Sequence, residues 1–353
     1  MKAIILVGGL GTRLRPITYE IPKPLVPVAN YPFICHQVEL LRKYGIEEII
    51  FSAYYMSEQI QDVLLKIYKK TVKMYFVYEE TPLDTAGAVK NAESLLDNEP
   101  FLVFNGDILT DLNLKELIAF HKKNKAKATL TLTKVSDISP YGLVIMNSQN
   151  EVQKFMEKTL PKKDLPNTIN AGTYVLERDT LEMIASGQSF SFERQFFPNL
   201  IKNQEKVFGF VSDAYWIDIG TPEKLFKANL DALAQRVEIK LPGQATKLKV
   251  WIGKGCKIHR EARLRGPSLI GNNCTISANT DISDFVIMGD GVAINENSFL
   301  EHVLLFNNIK IGRNVKLTGC IIGNNCVIED DVQIDGHLVL AEGTHLARGT
   351  KLL

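Results

Sequence analysis

The chain has 353 residues, 45% of them hydrophobic, and a formal charge of +1 from 41 basic and 40 acidic side chains. Near-neutral charge excludes a global field that would draw nucleic acid or an anionic membrane, and the length allows about two domains with separate cores. The first apolar run stops at Val7 and no later one reaches spanning length, so no signal or membrane segment is expected and the chain reads as cytoplasmic.

Strand and helix patterns alternate over the first 135 residues. Lys2 to Val7, Ile46 to Ser52, Met74 to Tyr78 and Phe101 to Phe104 read as buried strands. Between them, Ile34, Val38 and Leu41 recur at helical spacing. Ser57 is the expected N-cap of a helix with Ile60, Val63, Leu64, Ile67 and Tyr68 on one face, and Thr85 to Leu96 is a third helix. A further helix starts near Asn113. This order predicts an α/β fold with a mostly parallel sheet. Strands then dominate: Ala128 to Val135, Leu143 to Met146, Val152 to Glu157, Ile169 to Leu176 and Val207 to Val211. Helices fall at Asp179 to Ala185 and Phe192 to Lys202, and Pro222 opens one carrying Leu225, Phe226, Leu230 and Leu233.

Residues 1–237 therefore read as one domain and 238–249, polar with Pro242-Gly243 inside, as a linker. From 250 to 353 an apolar residue, mostly aliphatic, recurs every sixth position from Ile252 through Leu300 to Phe306. The phase slips by one at Ile311 and Leu317, and again at Ile322, then holds to Leu352. A hexapeptide repeat with an aliphatic guide residue predicts a parallel β-helix. Cys35, Cys256, Cys274, Cys320 and Cys326 lack CxxC spacing and read as free thiols in a reducing compartment.

The chemistry gathers around Gly8-Gly9-Leu10-Gly11-Thr12-Arg13, directly after the first strand. Glycines let backbone N–H groups approach an anion, and Arg13 and Lys23 add charge. The same glycines also suit a plain tight turn. Ligands gather at the carboxyl ends of strands in such sheets, which points this loop and Asp107, at the end of the fourth strand, to one crevice. Asp107 and Asp218 are carboxylates able to share Mg²⁺ with phosphate oxygens, and phosphorus transfer needs no protein nucleophile. Each has a plainer reading: a strand-end Asp caps turns, Lys158 suits a surface ion pair, and Trp216 suits a core.

GGLGTRLRPIT (Gly8 to Thr18), PKPLVPVAN (Pro22 to Asn30), TPLDTAGAV (Thr81 to Val89), FNGDIL (Phe104 to Leu109), YGLV (Tyr141 to Val144), FMEK (Phe155 to Lys158), INAGTYVL (Ile169 to Leu176) and WIDIGTP (Trp216 to Pro222) follow one another in order. Together they resemble the sugar-1-phosphate nucleotidylyltransferases across nearly the whole first domain. The resemblance implies a Rossmann-like nucleotidyltransferase domain with a mixed, mostly parallel sheet, followed by a left-handed parallel β-helix. It implies that Leu6, Gly8, Gly9, Gly11, Thr12, Arg13, Lys23, Glu79, Pro82, Thr85 and Gly87 surround the nucleotide. By the same likeness Gly106, Asp107, Gly142, Glu157, Lys158 and Asn170 meet the sugar phosphate. Arg13, Lys23, Asp107 and Asp218 are the implied catalytic group, with Asp107 and Asp218 on Mg²⁺. The implied partners are an NTP and a sugar-1-phosphate, with the tail making a homo-oligomer, dimer or tetramer.

Two positions depart from the family pattern: Asp84 stands where Gly is usual, and Thr159 where Pro is usual. Asp84 is expected to cap the following helix, with altered nucleotide preference as the other reading. Thr159 is expected to change loop stiffness. Within the family the chain most resembles the enzymes that join GTP to mannose-1-phosphate, through His36-Gln37-Val38-Glu39, Tyr55-Met56-Ser57 and Ser191 to Pro198. Glu79 agrees. Relatives that bind thymine or uracil resemble a Gln there, and a carboxylate accepts from guanine N1–H and N2–H together. A strand-end cap is the plainer reading of Glu79. The alternatives are a glucose-1-phosphate thymidylyl- or uridylyltransferase and a non-catalytic regulatory subunit. Retention of the implied catalytic group weighs against the last. A third reading makes the tail an acyltransferase through His259, His302, His337 or His345, none of which stands in a recognisable arrangement.

Overall fold

A computed structural model describes residues 1–135, 137–138, 141–156 and 167–353. They form two compact units, one of residues 1–10 and 37–216, the other of residues 11–36 and 217–353.

The first unit is built on a nine-stranded sheet. Its parallel half comprises β1 (Ala3–Leu6), β2 (Glu48–Ala53), β3 (Lys73–Tyr78) and β4 (Phe101–Asn105), in the order β4-β1-β2-β3. Ile4 pairs with both Ile50 and Val103, and all three are fully buried in one core, which is why these strands read as unbroken apolar runs. The helices between them are α1 (Phe33–Lys43), α2 (Ser57–Tyr68) and α3 (Asp84–Asn91), followed beyond β4 by α4 (Leu114–Asn124). Helix α4 begins as expected, with Asn113 accepting from the Glu116 N–H at 3.3 Å.

Ser57 is not the cap of α2. That place falls to Met56 in the left-handed region (φ 48°), and the helix starts at Ser57 without a side-chain cap. Its buried stripe is Ile60, Leu64 and Tyr68, while Ile67, expected on the same face, is exposed at 38%. Helix α3 stops at Asn91, and a single 3₁₀ turn (Glu93–Leu95) continues it.

The other half adds β5 (Ala128–Lys134), β6 (Leu143–Met146), β7 (Val152–Met156) and β8 (Thr168–Leu176), then β9 (Val207–Val211). Strand β8 runs antiparallel to β4, β5 and β6 and joins the two halves. Its register with β5 slips between Asn170 and Tyr174, around Gly172 (φ 71°), a bulge that re-aims the Asn170 side chain. The segment expected as Asp179 to Ala185 is a 3₁₀ stretch (Arg178–Met183). The next is a wide turn (Phe192–Phe196) before α5 (Phe197–Lys202), because Pro198 lacks the N–H a continuous helix needs. Tyr174, Phe192, Phe196 and Phe197 pack with ring centroids 5.1 to 5.3 Å apart and anchor that turn under the sheet.

In the second unit, three faces of short parallel strands stack into a β-helix from Val250 to Leu352. Ile276, Ile294, Ile311 and Ile328 align coil over coil and are buried in its core. The repeat is not six throughout. Leu305, not Phe306, pairs with Met288 and fills the core, so the first slip lies between Leu300 and Leu305, at a corner shortened to Glu301-His302. The glycines that follow the guide residues have a steric cause. A Cβ on Gly253, Gly271 or Gly312 would come within 2.4 to 2.6 Å of the backbone of the next coil. The corners turn through left-handed residues such as Asn297, Asn308 and Asn325 (φ 58 to 60°), a conformation Asn tolerates. A ladder of side-chain acceptors ties the coils: the N–H of Asn272 donates to Asp290, that of Asp290 to Asn307 and that of Asn307 to Asn324, at 2.7 to 2.9 Å. Leu300→Ala, in mid-core, should lower stability by about 2–5 kcal/mol, read as a shift in the urea midpoint.

The expected linker is partly ordered, since Gln244 and Ala245 pair antiparallel with Ile252 and Trp251. Helix α6 (Pro222–Leu233) starts at Pro222 as expected, capped by Thr221. A hairpin, Pro27–Val28 against Tyr31–Pro32, inserts its tip between α6 and the β-helix. Ala29 N–H donates to Asn229 Oδ1 at 2.8 Å, and the Asn30 amide donates to the Met288 carbonyl.

Candidate active site

The parallel strands of the first unit all deliver their carboxyl ends to one edge. The Val7 N–H donates to Ser52 O at 2.8 Å and the Glu79 N–H to Ala53 O at 3.0 Å. Gly8 therefore stands beside Tyr54 and Glu79: a Cβ on Gly8 would lie 3.2 Å from Tyr54 Cβ and 3.3 Å from Glu79 Oε1. Gly9 is exposed, with nothing within 4 Å of where its Cβ would be. On the other side of β1, the Gly106 N–H donates to Leu6 O at 2.9 Å, which sets Asp107 one residue beyond the strand junction. The first strand's loop and Asp107 leave neighbouring parallel strands at the same end, as the alternation predicts.

Glu79 is half-buried and held at both oxygens. Oε2 accepts from the Leu83 N–H at 2.9 Å and Oε1 from Ser52 Oγ at 3.3 Å. Burial, and secondarily the charge of Asp84, pushes its carboxyl above the usual range. Pro82 is exposed in the same turn. Thr85 and Gly87 face a second segment: Phe192 N–H donates to Thr85 Oγ1 at 2.9 Å, and a Cβ on Gly87 would meet Gln188 O at 2.5 Å. Asp84 adopts φ 57°, a conformation that glycine takes without strain. Asp84 is not the expected cap: the N-cap position falls to Leu83 without a side-chain bond, and Asp84 is the first residue of α3, its Oδ1 accepting from the adjacent Thr85 N–H at 2.7 Å and its Oδ2 pairing with Arg194.

Asn170 is locked from within. Its amide donates to Tyr174 Oη at 2.8 Å and Glu193 Oε1 at 3.1 Å, while Oδ1 accepts from the Gly172 N–H at 3.1 Å. Burial raises the Glu193 carboxyl, and burial with the Glu193 charge raises Tyr174 well above its ordinary value. Asn105 Oδ1, two residues before Asp107, is buried with no hydrogen-bond partner among the described residues. Gly142 immediately precedes β6. Trp216 is half-buried and packs against the small core of Ile138, Leu143 and Ile169, with Tyr141 at 5.5 Å and its indole N–H donated to Ala171 O at 2.8 Å. Glu157, Lys158 and Thr159 lie outside the described residues.

In the second unit, Gly11 (φ 65°) turns the chain into Thr12–Leu14, and Thr18 Oγ1 donates to Gly11 O at 2.7 Å. A Cβ on Gly11 would sit 3.1 Å from Lys23 Cβ, so this turn and Lys23 are packed together. Arg13 and Asp218, far apart in sequence, both approach Gly220. A Cβ there would lie 3.1 Å from Arg13 Nη2 and 3.2 Å from Asp218 Oδ2. Asp218 Oδ1 pairs with Lys224 from the first turn of α6, a cation that sequence reasoning missed. Ser191 to Pro198 enters the sequence reading only as a family likeness; its contacts with Asp84 and Thr85 are not foreseen there, because no spacing rule links the two segments. Among the described residues no group of three or more His, Cys, Asp or Glu stands ready for a metal, and the five cysteines are free. Two carboxylates are hard oxygen donors suited to Mg²⁺ when phosphate oxygens complete its shell.

Glycine loop and carboxylates at the ends of parallel strands, followed by hexapeptide coils, define an α/β nucleotide-site protein with a β-helical tail. The chain belongs to the nucleotidyl transferase family, whose model matches residues 2–235; the model of the EIF2B subunit epsilon LbH domain matches residues 247–352. The second match makes the tail a left-handed β-helix. It is 34% identical to mannose-1-phosphate guanylyltransferase of Mycobacterium tuberculosis over 85% of this chain and 83% of that one. It is 33% identical to mannose-1-phosphate guanyltransferase of Schizosaccharomyces pombe over 91% of this chain and all of that one. The crystal structure of HddC from Yersinia pseudotuberculosis complexed with GMP-PN is similar at 34% identity, with a TM-score of 0.57 over 65% of this chain and 97% of that one.

Proposed function

We propose that the protein is a mannose-1-phosphate guanylyltransferase, forming GDP-mannose and pyrophosphate from GTP and mannose-1-phosphate. Full-length similarity to enzymes of that name carries this reading. The phosphate oxygen of the sugar attacks the α-phosphorus in line. One P–O bond forms as the bond to the β-phosphate oxygen breaks, and pyrophosphate leaves. The protein's part is positioning and charge stabilisation. The Gly8 to Gly11 loop offers backbone N–H groups to the triphosphate, Arg13 and Lys23 hold the departing pyrophosphate, and Lys158 holds the sugar phosphate. Gly142, Glu157 and Asn170 meet sugar hydroxyls. Asp107 and Asp218 are the residues that would hold Mg²⁺, which when bound neutralises charge on the reacting phosphates. The orphaned Asn105 Oδ1 near Asp107 fits a site completed by polar ligand groups. The family matches, over 2–235 and 247–352, support a division into 1–237, a linker at 238–249 and 250–353; stacked coils offer a long regular surface, and on it we place a homo-oligomer contact. Among the described residues no helix is long and apolar enough to cross a membrane, and a cytoplasmic enzyme is the reading we adopt.

Glu79 is the residue we assign to guanine, because its carboxylate accepts from two adjacent donors. Glu79→Gln should lower kcat/KM for GTP about tenfold more than for UTP or dTTP, since one good bidentate pair is worth about 1–3 kcal/mol. The check is pyrophosphate release over a grid of four NTPs against mannose-, glucose-, galactose- and N-acetylglucosamine-1-phosphate. Equal losses for all NTPs would remove Glu79 from base selection, and no turnover in the wild type would leave the regulatory-subunit reading.

A further inference from the structure

The two segments flanking the proposed base and sugar pockets are sewn to each other. From the base side, the Leu83 carbonyl accepts from the Phe190 N–H at 2.9 Å. The Phe190 carbonyl accepts from Ala86 and Gly87 at 2.8 and 2.9 Å. Gly87 lacks a Cβ where Gln188 O passes, so the segments lie in backbone contact. The turn holding Glu79 through the Leu83 N–H thus continues into the strap that carries Glu193, and Glu193 holds the Asn170 amide. An ion pair between Asp84 and Arg194 closes this strap.

We propose that the Asp84–Arg194 pair couples the two substrate pockets, so that a bound guanine nucleotide strengthens binding of the hexose-1-phosphate. The inference rests on the guanylyltransferase reading above. Three observations carry it. The pair joins the residue after Leu83, whose N–H binds Glu79, to the residue after Glu193. Asp84 stands in the left-handed region (φ 57°) with one carboxylate oxygen on the Thr85 N–H and the other on Arg194. Its negative charge also faces the carboxyls of Glu79 and Glu193, both raised in part by it, and Arg194 is the cation set against that charge. Ordering the strap by one ligand lowers the ordering cost of the second, and the effect is reciprocal.

The pair is partly open to solvent, 24% for Asp84 and 61% for Arg194, so salt screens it. Asp84 and Arg194 are positioning residues, and the readout is coupling rather than rate. Titration calorimetry of mannose-1-phosphate, with and without a non-hydrolysable GTP analogue and Mg²⁺, gives the coupling ratio. D84N keeps the Thr85 bond and tolerates the left-handed region; R194Q keeps the stem. Each variant should lower the ratio about three- to fivefold, the range of a partly exposed ion pair, and the double variant no further. Raising NaCl from about 50 to 500 mM should lower the wild-type ratio and leave the variants unchanged. A ratio unchanged in both variants, or a double variant that loses the product of the single losses, overturns the coupling role. A wild type that binds neither ligand overturns both the coupling and the substrate reading. One that binds both, with coupling indifferent to the variants, overturns the coupling alone.

Discussion

Asp218→Asn should lower kcat about a hundred- to a thousandfold while leaving the urea midpoint nearly unchanged. Asp218 is 9% exposed, with one oxygen paired to Lys224 and the other close to Gly220, which the Arg13 guanidinium also approaches. Asparagine keeps the shape and removes the charge. The loss falls on the transition state, because a neutral amide neither holds a divalent cation nor balances the two flanking cations as pyrophosphate departs. Folding should be spared, since Arg13 is exposed and Lys224 is 29% accessible, so water takes over their charges. Pyrophosphate release and equilibrium Mn²⁺ binding should fall together. A variant that keeps activity near the wild-type level would contradict the metal assignment.

Gly106→Ala should be among the most damaging single substitutions in the first unit, with Gly9→Ala as its contrast. A Cβ on Gly106 would lie 2.1 Å from the Leu6 carbonyl oxygen, the acceptor of Gly106's own N–H. Two backbone segments of a buried parallel sheet cannot separate without losing that bond and shifting Asp107. The expected cost is about 3 kcal/mol in the urea transition, with activity lost alongside. Gly9 has open space where its Cβ would be, so Gly9→Ala should change stability by less than about 0.5 kcal/mol. Its effect should appear as a higher KM for the NTP, where a ligand's phosphates would meet the added methyl group. Similar stability losses in both variants would mean that the two glycines do the same work.

The elements of both units were largely legible because their signals are local. Buried parallel strands write themselves as apolar runs, and a stacked coil must repeat its guide residue to build a one-dimensional core. Errors came where local rules compete. Met56 took the cap that Ser57 seemed to offer, Pro198 divided a helix that periodicity alone would continue, and Leu305 displaced Phe306 where a corner lost a residue.

Sequence alone determined the order of strands and helices, the β-helical tail and, through its ordered motifs, the reaction class. It also placed Gly8 and Asp107 at one sheet edge, since parallel topology sends successive strand ends to the same side. Tertiary structure decided what those residues touch. Arg13 and Asp218 both come to Gly220, Lys224 pairs with Asp218 from α6, and Asp84 finds Arg194 in a segment distant in sequence. Such pairs have no spacing in sequence, because they depend on where separate segments cross once the core is packed. The physical reason is range: strand and coil patterns are set by burial within a few residues, while a charge takes its partner from whatever the finished fold brings within a few ångströms.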